Sequence, residues 1–393
     1  MFMGNTSFIV CCLLFIVWTL GPERSYSQLG QLLDGDRVVF VGDGFIERAQ
    51  RFGYIEAALT SRWPDRQISF RNIGWSGDTV KGEARDHYTN PPTAYEHLLE
   101  QIAESDPTVL IFAYGSNLAY GNDAEMDAFS DGYHTLLNDV ELNGKRCLLL
   151  SPIPHDQKTS PHPDVSAFNA NLEKVAALIS EIADKRGCAF FDLYSLLANY
   201  YELARKSMYS NGIHLSDQGY ALVGEFLKGS SSMGGGSDLV IDLENETLSG
   251  GELLDLTRKE NGFTLLLRPS QRPVRGSRSI SIKGLRRGSY RVSTPSGIIG
   301  SMNRAEWNDG SMVTIPEENQ QEEQLRAAII EKNALYFRKY RPQNETYLVG
   351  FRKYEQGQNA VELDLLDPLI HEKENEIGRL KAPKPITLTI ERL

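Results

Sequence analysis

Cysteine is scarce in this sequence, basic residues are outnumbered, and no apolar run is long. Lys and Arg total 41 against 52 Asp and Glu, giving a net charge of −11. A chain that grips nucleic acid through its phosphates needs the opposite sign, and no basic tract offsets the deficit, so nucleic acid is excluded as a partner. The four Cys and seven His show no C-x-x-C or H-E-x-x-H spacing, which sets aside a structural zinc centre. No metal or organic cofactor is implied. No segment repeats at a fixed period. The longest apolar run, Phe8–Leu20, falls short of the roughly 20 residues that a membrane-crossing helix needs.

What is present is ordinary globular composition, 41% hydrophobic and 24% charged, in 393 residues. That length predicts two or three domains with ample cores. The Phe8–Leu20 run suits the apolar centre of a secretory signal, and Ser25-Tyr26-Ser27 places small residues where cleavage before Gln28 would need them. The expectation is export to the periplasm or beyond, with no stable membrane span after cleavage. An uncleaved anchor is the alternative, because no Lys or Arg precedes the run. Losing residues 1–27 removes Glu23 and Arg24 together, keeps the charge at −11, and leaves Cys147 and Cys188. Each begins a short apolar run. Two buried thiols are the favoured expectation, and a disulfide between adjacent strands is the alternative.

Between residues 36 and 228, short apolar runs alternate with helical stretches. The runs are Arg37–Val41, Gln67–Ile73, Val109–Ala113, Arg146–Ser151 and Ala189–Asp192. Among the helices, Val165, Phe168, Leu172, Val175, Ile179 and Ile182 form one apolar stripe. The pattern predicts a parallel sheet covered on both faces, with chemistry at the carboxyl ends of its strands. Residues 229–237 read as a Gly/Ser linker. Beyond it, residues 238–315 predict a small β module and residues 316–393 a helical extension with a terminal strand near Ile386–Ile390. The expected division is therefore signal 1–27, α/β domain 28–228, linker, β module and extension.

Four blocks stand at strand ends or before a helix: Gly42-Asp43-Gly44, Gly74-Trp75-Ser76-Gly77-Asp78, Gly115-Ser116-Asn117 and Asn211-Gly212-Ile213-His214. Their order resembles the SGNH/GDSL hydrolase superfamily over residues 36–228. The first block, with Phe45-Ile46-Glu47-Arg48, is similar to an exported bacterial subgroup. The resemblance implies a flavodoxin-like three-layer α/β fold with a five-stranded parallel sheet. It also implies ester hydrolysis through a serine, with His as base and Asp as its orienter. Carried over residue by residue, the oxyanion donors are Gly44, Gly77 and Asn117, and the base is His214.

Two positions depart from that pattern. Gly44 stands where the family has its serine, and Asn211 where it has the triad Asp. An Asp→Asn change at this place in serine proteases lowers kcat by about 10⁴. Two routes to replace the missing group remain open: Ser76 or Ser116 as a relocated nucleophile, and Asp43, Glu47 or Asp78 as a carboxylate acting directly or through water. The bland alternatives are a turn role for Asp43, a surface Glu47–Arg48 pair and a structural His214. The Asn344–Tyr347 cluster and Arg352 either roof the pocket or form an exposed hairpin.

The resemblance therefore implies an ester hydrolase fold acting on O-acyl or O-acetyl carbohydrate. A degenerate member that binds an acylated glycan or a partner protein without turnover is the alternative. In a third reading residues 238–393 do the work. The oligomeric state is left open.

Overall fold

The structure is a computed structural model that describes residues 32–393 apart from 87–90, 143, 202–207, 230–238, 275, 344–347 and 349–360. The expected signal segment, most of the expected Gly/Ser linker, Asn344–Tyr347 and Arg352 lie outside the described residues.

The first half is an α/β domain. Its elements are β1 (Arg37–Gly42), α1 (Gly44–Phe52), α2 (Tyr54–Arg62), β2 (Ser69–Asn72), α3 (Ala94–Glu104), β3 (Val109–Ala113) and α4 (Asp123–Asp139). There follow β4 (Arg146–Leu150), α5 (Ser166–Arg186), β5 (Ala189–Phe191), α6 (Leu193–Tyr201) and α7 (Asp217–Lys228). The five strands form one parallel sheet in the order β2-β1-β3-β4-β5. The order reverses at β1, so the ends of β1 and β3 flank the crevice where α/β sheets bind ligands.

Strand alternation explains the three layers. Val38 and Phe40 of β1 pack with Ile46, Ile55, Leu59 and Val223, while Val39 and Val41 pack with Leu98, Phe129, Leu136 and Ile179. Successive side chains point to opposite faces, so a strand apolar at every position must be covered twice. Helices α1, α2 and α7 cover one face, and α3, α4 and α5 the other. The α5 stripe is buried at Leu172, Val175, Ile179 and Ile182, whereas Phe168 is only half-buried.

Cys147 on β4 and Cys188 just before β5 are joined in a disulfide, with Cα atoms 5.1 Å apart. This corrects the expectation of two separate thiols. Leu148 of β4 pairs with Ala189 of β5, so the residues one step earlier lie side by side within bridging distance.

The second half contains β6 (Leu239–Asp242), β7 (Thr247–Ser249), β8 (Gly251–Lys259), β9 (Gly262–Pro269), β10 (Arg278–Lys283), β11 (Ser289–Thr294) and β12 (Gly297–Asn303). Then come α8 (Arg304–Asp309), β13 (Ser311–Val313), α9 (Pro316–Tyr340), α10 (Val361–Asp364), α11 (Leu366–Leu380) and β14 (Ile386–Arg392). Two sheets, ordered β13-β10-β6-β7 and β12-β11-β14-β9-β8, share a core around Trp307, Leu265, Ile282 and Leu388. The terminal strand β14 thus pairs on both sides inside the β module.

Helix α9 instead lies against the α/β domain. Lys332 and Asn333 reach the buried Glu56 carboxylate, and the Tyr340 hydroxyl donates to Gly74 O at 2.8 Å. The buried Lys332 ammonium holds this deep because it is shared between the Glu56 carboxylate and Phe70 O. Among the described residues, no helix is long and apolar enough to cross a membrane.

Candidate functional site

The four blocks converge at the carboxyl end of the sheet. Asp43 caps α1, its Oδ1 accepting from Phe45 N at 3.0 Å, and its Oδ2 accepts from the Ser116 hydroxyl. This ties the first block to the third. A Cβ at Gly44 would meet Ser76 Oγ at 3.5 Å, ordinary contact, so the first and second blocks face each other with room between them. The fourth block reaches the first through α7, where the Tyr220 hydroxyl donates to Phe45 O at 2.8 Å and the two rings lie 5.5 Å apart.

Glycine is required at Gly74 and Gly77 for different reasons. A Cβ on Gly74 would lie 2.4 Å from Glu47 N, which no rotamer relieves. Gly77 has φ +82°, a left-handed backbone that side chains disfavour. The N–H groups of Gly44 and Gly77 and the Asn117 amide make no hydrogen bond among the described residues. Those are the three groups expected as oxyanion donors, and Gly77 and Asn117 are exposed.

Asn211 sets the state of His214. Its Oδ1 accepts from His214 N at 2.9 Å and from Ile213 N at 3.4 Å. Two backbone donors fix which end of the amide is oxygen. The Nδ2 end therefore faces His214 Nδ1 at 3.0 Å and donates to it. An imidazole that accepts at Nδ1 carries its proton on Nε2. Burial, then the nearby charge of Arg48, holds His214 below the ordinary histidine pKa. It is a neutral ring presenting an N–H.

The candidate replacements for the serine, Ser76 apart, are engaged by other groups. Asp78 is enclosed, accepting from Arg85 Nε at 2.8 Å and Tyr114 OH at 3.2 Å. Burial raises its pKa and Arg85 offsets part of the rise. Arg85 is itself fully buried and also serves Gln101 and Ile73 O, so Asp78 belongs to a structural pair. Burial likewise raises the pKa of Asp43, opposed by the bonds from Ser116 and Phe45. Glu47 is buried, accepts from Ser76 N, and pairs with Arg341 at 3.3 Å and Arg51 at 3.5 Å. The expected surface pair with Arg48 is corrected, because Glu47 points under the second block instead. Ser76 is exposed and unactivated, whereas the Ser116 hydroxyl donates to a carboxylate.

Several contributors were not singled out from the sequence. The Arg341 guanidinium lies 3.9 Å over the Trp75 ring. With Tyr340 on Gly74 and Glu47 on Ser76, it holds the second block at three consecutive residues. His155, eight per cent exposed, follows β4 and joins Tyr120 and Phe168 in a ring cluster 4.7–5.9 Å across. Its pKa is lowered by burial, then by His162 and His214. The strand-end rule applied after β4 marks His155; nothing local in the sequence marks Arg341. Among the described residues, no three His, Cys, Asp or Glu side chains converge to hold a metal ion. Cavities of about 290 and 320 Å³ lie elsewhere, at Arg272–Glu318–Lys384 and at Gln67–Lys332–Glu374.

Residues 40–222 match the GDSL-like Lipase/Acylhydrolase family. No curated protein matches the sequence. Among solved structures, a gut microbial diltiazem-metabolizing enzyme is 15% identical, with a TM-score of 0.68 over 92% of this chain and 98% of its own. At that identity the likeness is one of fold, and it embraces the β module and C-terminal helices. An acetylxylan esterase from Geobacillus stearothermophilus, a catalytic mutant, is 16% identical over 50% of this chain and 95% of its own, with a TM-score of 0.41.

Proposed function

From the premise that residues 40–222 form a domain of the GDSL/SGNH hydrolase superfamily, we propose that this domain binds the acyl group of an O-acylated carbohydrate without forming an acyl-enzyme. One observation carries the reading. The Asn211 amide donates to His214 Nδ1, so the imidazole offers a proton where general-base chemistry needs a lone pair. Gly44 supplies no nucleophile beside it. The unbonded N–H groups of Gly44 and Gly77, the Asn117 amide and the His214 Nε2–H together favour an oxygen-rich ligand that accepts hydrogen bonds. The carbohydrate part of the reading rests on the family resemblance. The exposed Tyr120 ring beside His155 is compatible with a sugar face.

The same reading places the protein outside the cytoplasm. The apolar N-terminal run and the Cys147–Cys188 bond support that compartment.

The test is titration calorimetry with acetylated sugars beside a spectrophotometric assay with aryl acetates, on the wild type and His214→Ala. Binding that weakens in the variant, with hydrolysis at the background rate, is expected. Turnover that vanishes in His214→Ala would overturn the proposal.

One specific contact favours a second reading. The Ser116 hydroxyl donates to Asp43, a buried carboxylate with a raised pKa, so this pair is a candidate nucleophile and base. Hydrolysis that survives His214→Ala but not Ser116→Ala would establish it.

A further inference from the structure

The charge of the protein is −11, yet arginines stand close to the first block, on α1 and beside Glu47. Arg48 lies four residues after Gly44 on α1, hence on the same face of the helix. It pairs with no carboxylate and makes no hydrogen bond among the described residues, and its Nε is enclosed. A half-buried guanidinium without a partner loses solvation with nothing in return. Arg51 and Arg341 stand on the neighbouring side, sharing the single carboxylate of Glu47. Asp43 turns both oxygens to Phe45 N and Ser116, and the neutral Asn211 amide, not a carboxylate, faces His214.

We infer that Arg48 and the donors around Gly44 make the four-block site a receptor for a carboxylate. The inference rests on the four blocks being the ligand site and adds the charge of what binds there. A guanidinium forks onto two carboxylate oxygens, and unbonded N–H groups such as those of Gly44, Gly77 and the Asn117 amide donate to such oxygens as well. A side chain at Gly44 would meet Ser76 Oγ only at ordinary contact, 3.5 Å from its Cβ. A neutral ester fills the donors but leaves Arg48 unpaired. The ligand class is therefore a carboxylate-bearing molecule, either a released acyl acid or an acidic sugar.

The experiment is an NMR titration of the full protein, read at the His214 imidazole, with acetate, glucuronate and the neutral isostere acetamide. Acetate or glucuronate should perturb His214 with saturation, and acetamide should bind at least tenfold more weakly. Raising the salt concentration should weaken the anion arm. Arg48→Gln should lower anion affinity tenfold or more while leaving acetamide unchanged, and Arg48→Lys should keep part of it. The acetate and glucuronate arms separate the two sources. Equal binding of acetate and acetamide, or unchanged acetate binding in a folded Arg48→Gln variant, overturns the inference. Neutral acetylated sugars that bind where carboxylates do not would sink it while leaving the proposed function standing. Failure of every ligand would sink both.

Discussion

Restoring both missing groups should restore chemistry, and the structure states what each change does. A serine side chain introduced at Gly44 enters space where its Cβ meets Ser76 Oγ at 3.5 Å, and the position has no left-handed backbone to strain. Asn211→Asp keeps the oxygen that accepts from His214 N and replaces the donor at 3.0 Å from Nδ1 with a carboxylate oxygen. The ring must then carry its proton on Nδ1, which frees the Nε2 lone pair toward the hydroxyl that Gly44→Ser introduces. The two effects depend on each other. Gly44→Ser alone meets an imidazole that cannot accept its proton, and Asn211→Asp alone prepares a base with nothing to activate. The Asp-for-Asn exchange in such a triad is worth about 10⁴ in kcat, roughly 5.5 kcal/mol of barrier. Hydrolysis of an aryl acetate by Gly44→Ser/Asn211→Asp should therefore exceed that of Gly44→Ser by three to four orders of magnitude. Nitrogen-15 spectra of His214 should move from an Nε2–H tautomer to an Nδ1–H one in both variants that carry Asn211→Asp. A folded double variant no faster than either single one, or a wild-type imidazole already protonated at Nδ1, would refute the reasoning.

Other consequences are independent of the site. The Cys147–Cys188 bond closes a loop of 41 residues, so its removal by Cys147→Ala/Cys188→Ala should lower stability by about 4 kcal/mol in urea unfolding, and by less than about 1 kcal/mol if the bond is absent in solution. Arg85→Met leaves the Asp78 carboxylate enclosed without its cation and should cost about 3–5 kcal/mol, with Asp78→Asn/Arg85→Met recovering part of the loss. Glu318 is pushed up to about 7 by burial, with Arg278, Arg272 and Lys228 opposing. Its folded pKa exceeds the unfolded value, so its contribution is full at acid pH and is lost as the pH rises through about 7. The stability difference between wild type and Glu318→Gln should accordingly drift against the wild type from about pH 5 to 8, and a flat difference would contradict this assignment.

The α/β half was legible because its information is local. Runs such as Val38–Val41 are apolar at consecutive positions, which only a sheet covered on both sides tolerates, and the first three candidate blocks each follow one of them. The candidate donors Gly44, Gly77 and Asn117 were expected from the family resemblance of the blocks that carry them, not from the chain's own pattern. What escaped depends on contacts between distant residues. Arg341 is 294 positions from the Glu47 it bonds, and Tyr340 is 266 from Gly74. Neither residue type is unusual at the end of a charged helix. The proton position on His214 escaped for another reason: it is set by two backbone N–H groups that orient an amide, and composition carries no trace of that geometry. The cysteine pairing was open because two apolar runs do not declare that they are neighbours in a sheet.

The placement of β14 constrains how the molecule comes into being. Ribosomes deliver the chain from its amino end, and the α/β sheet needs nothing beyond Phe191 to pair its strands. The sheet built on β9 and β11 has its middle position filled by Ile386–Arg392, a stretch made well after both. Until then two strands of the nascent protein display open hydrogen-bonding edges, the form of backbone most prone to pair with a neighbour's. A message cut short just before Ile386 would leave those edges open while the five-stranded α/β sheet is already paired.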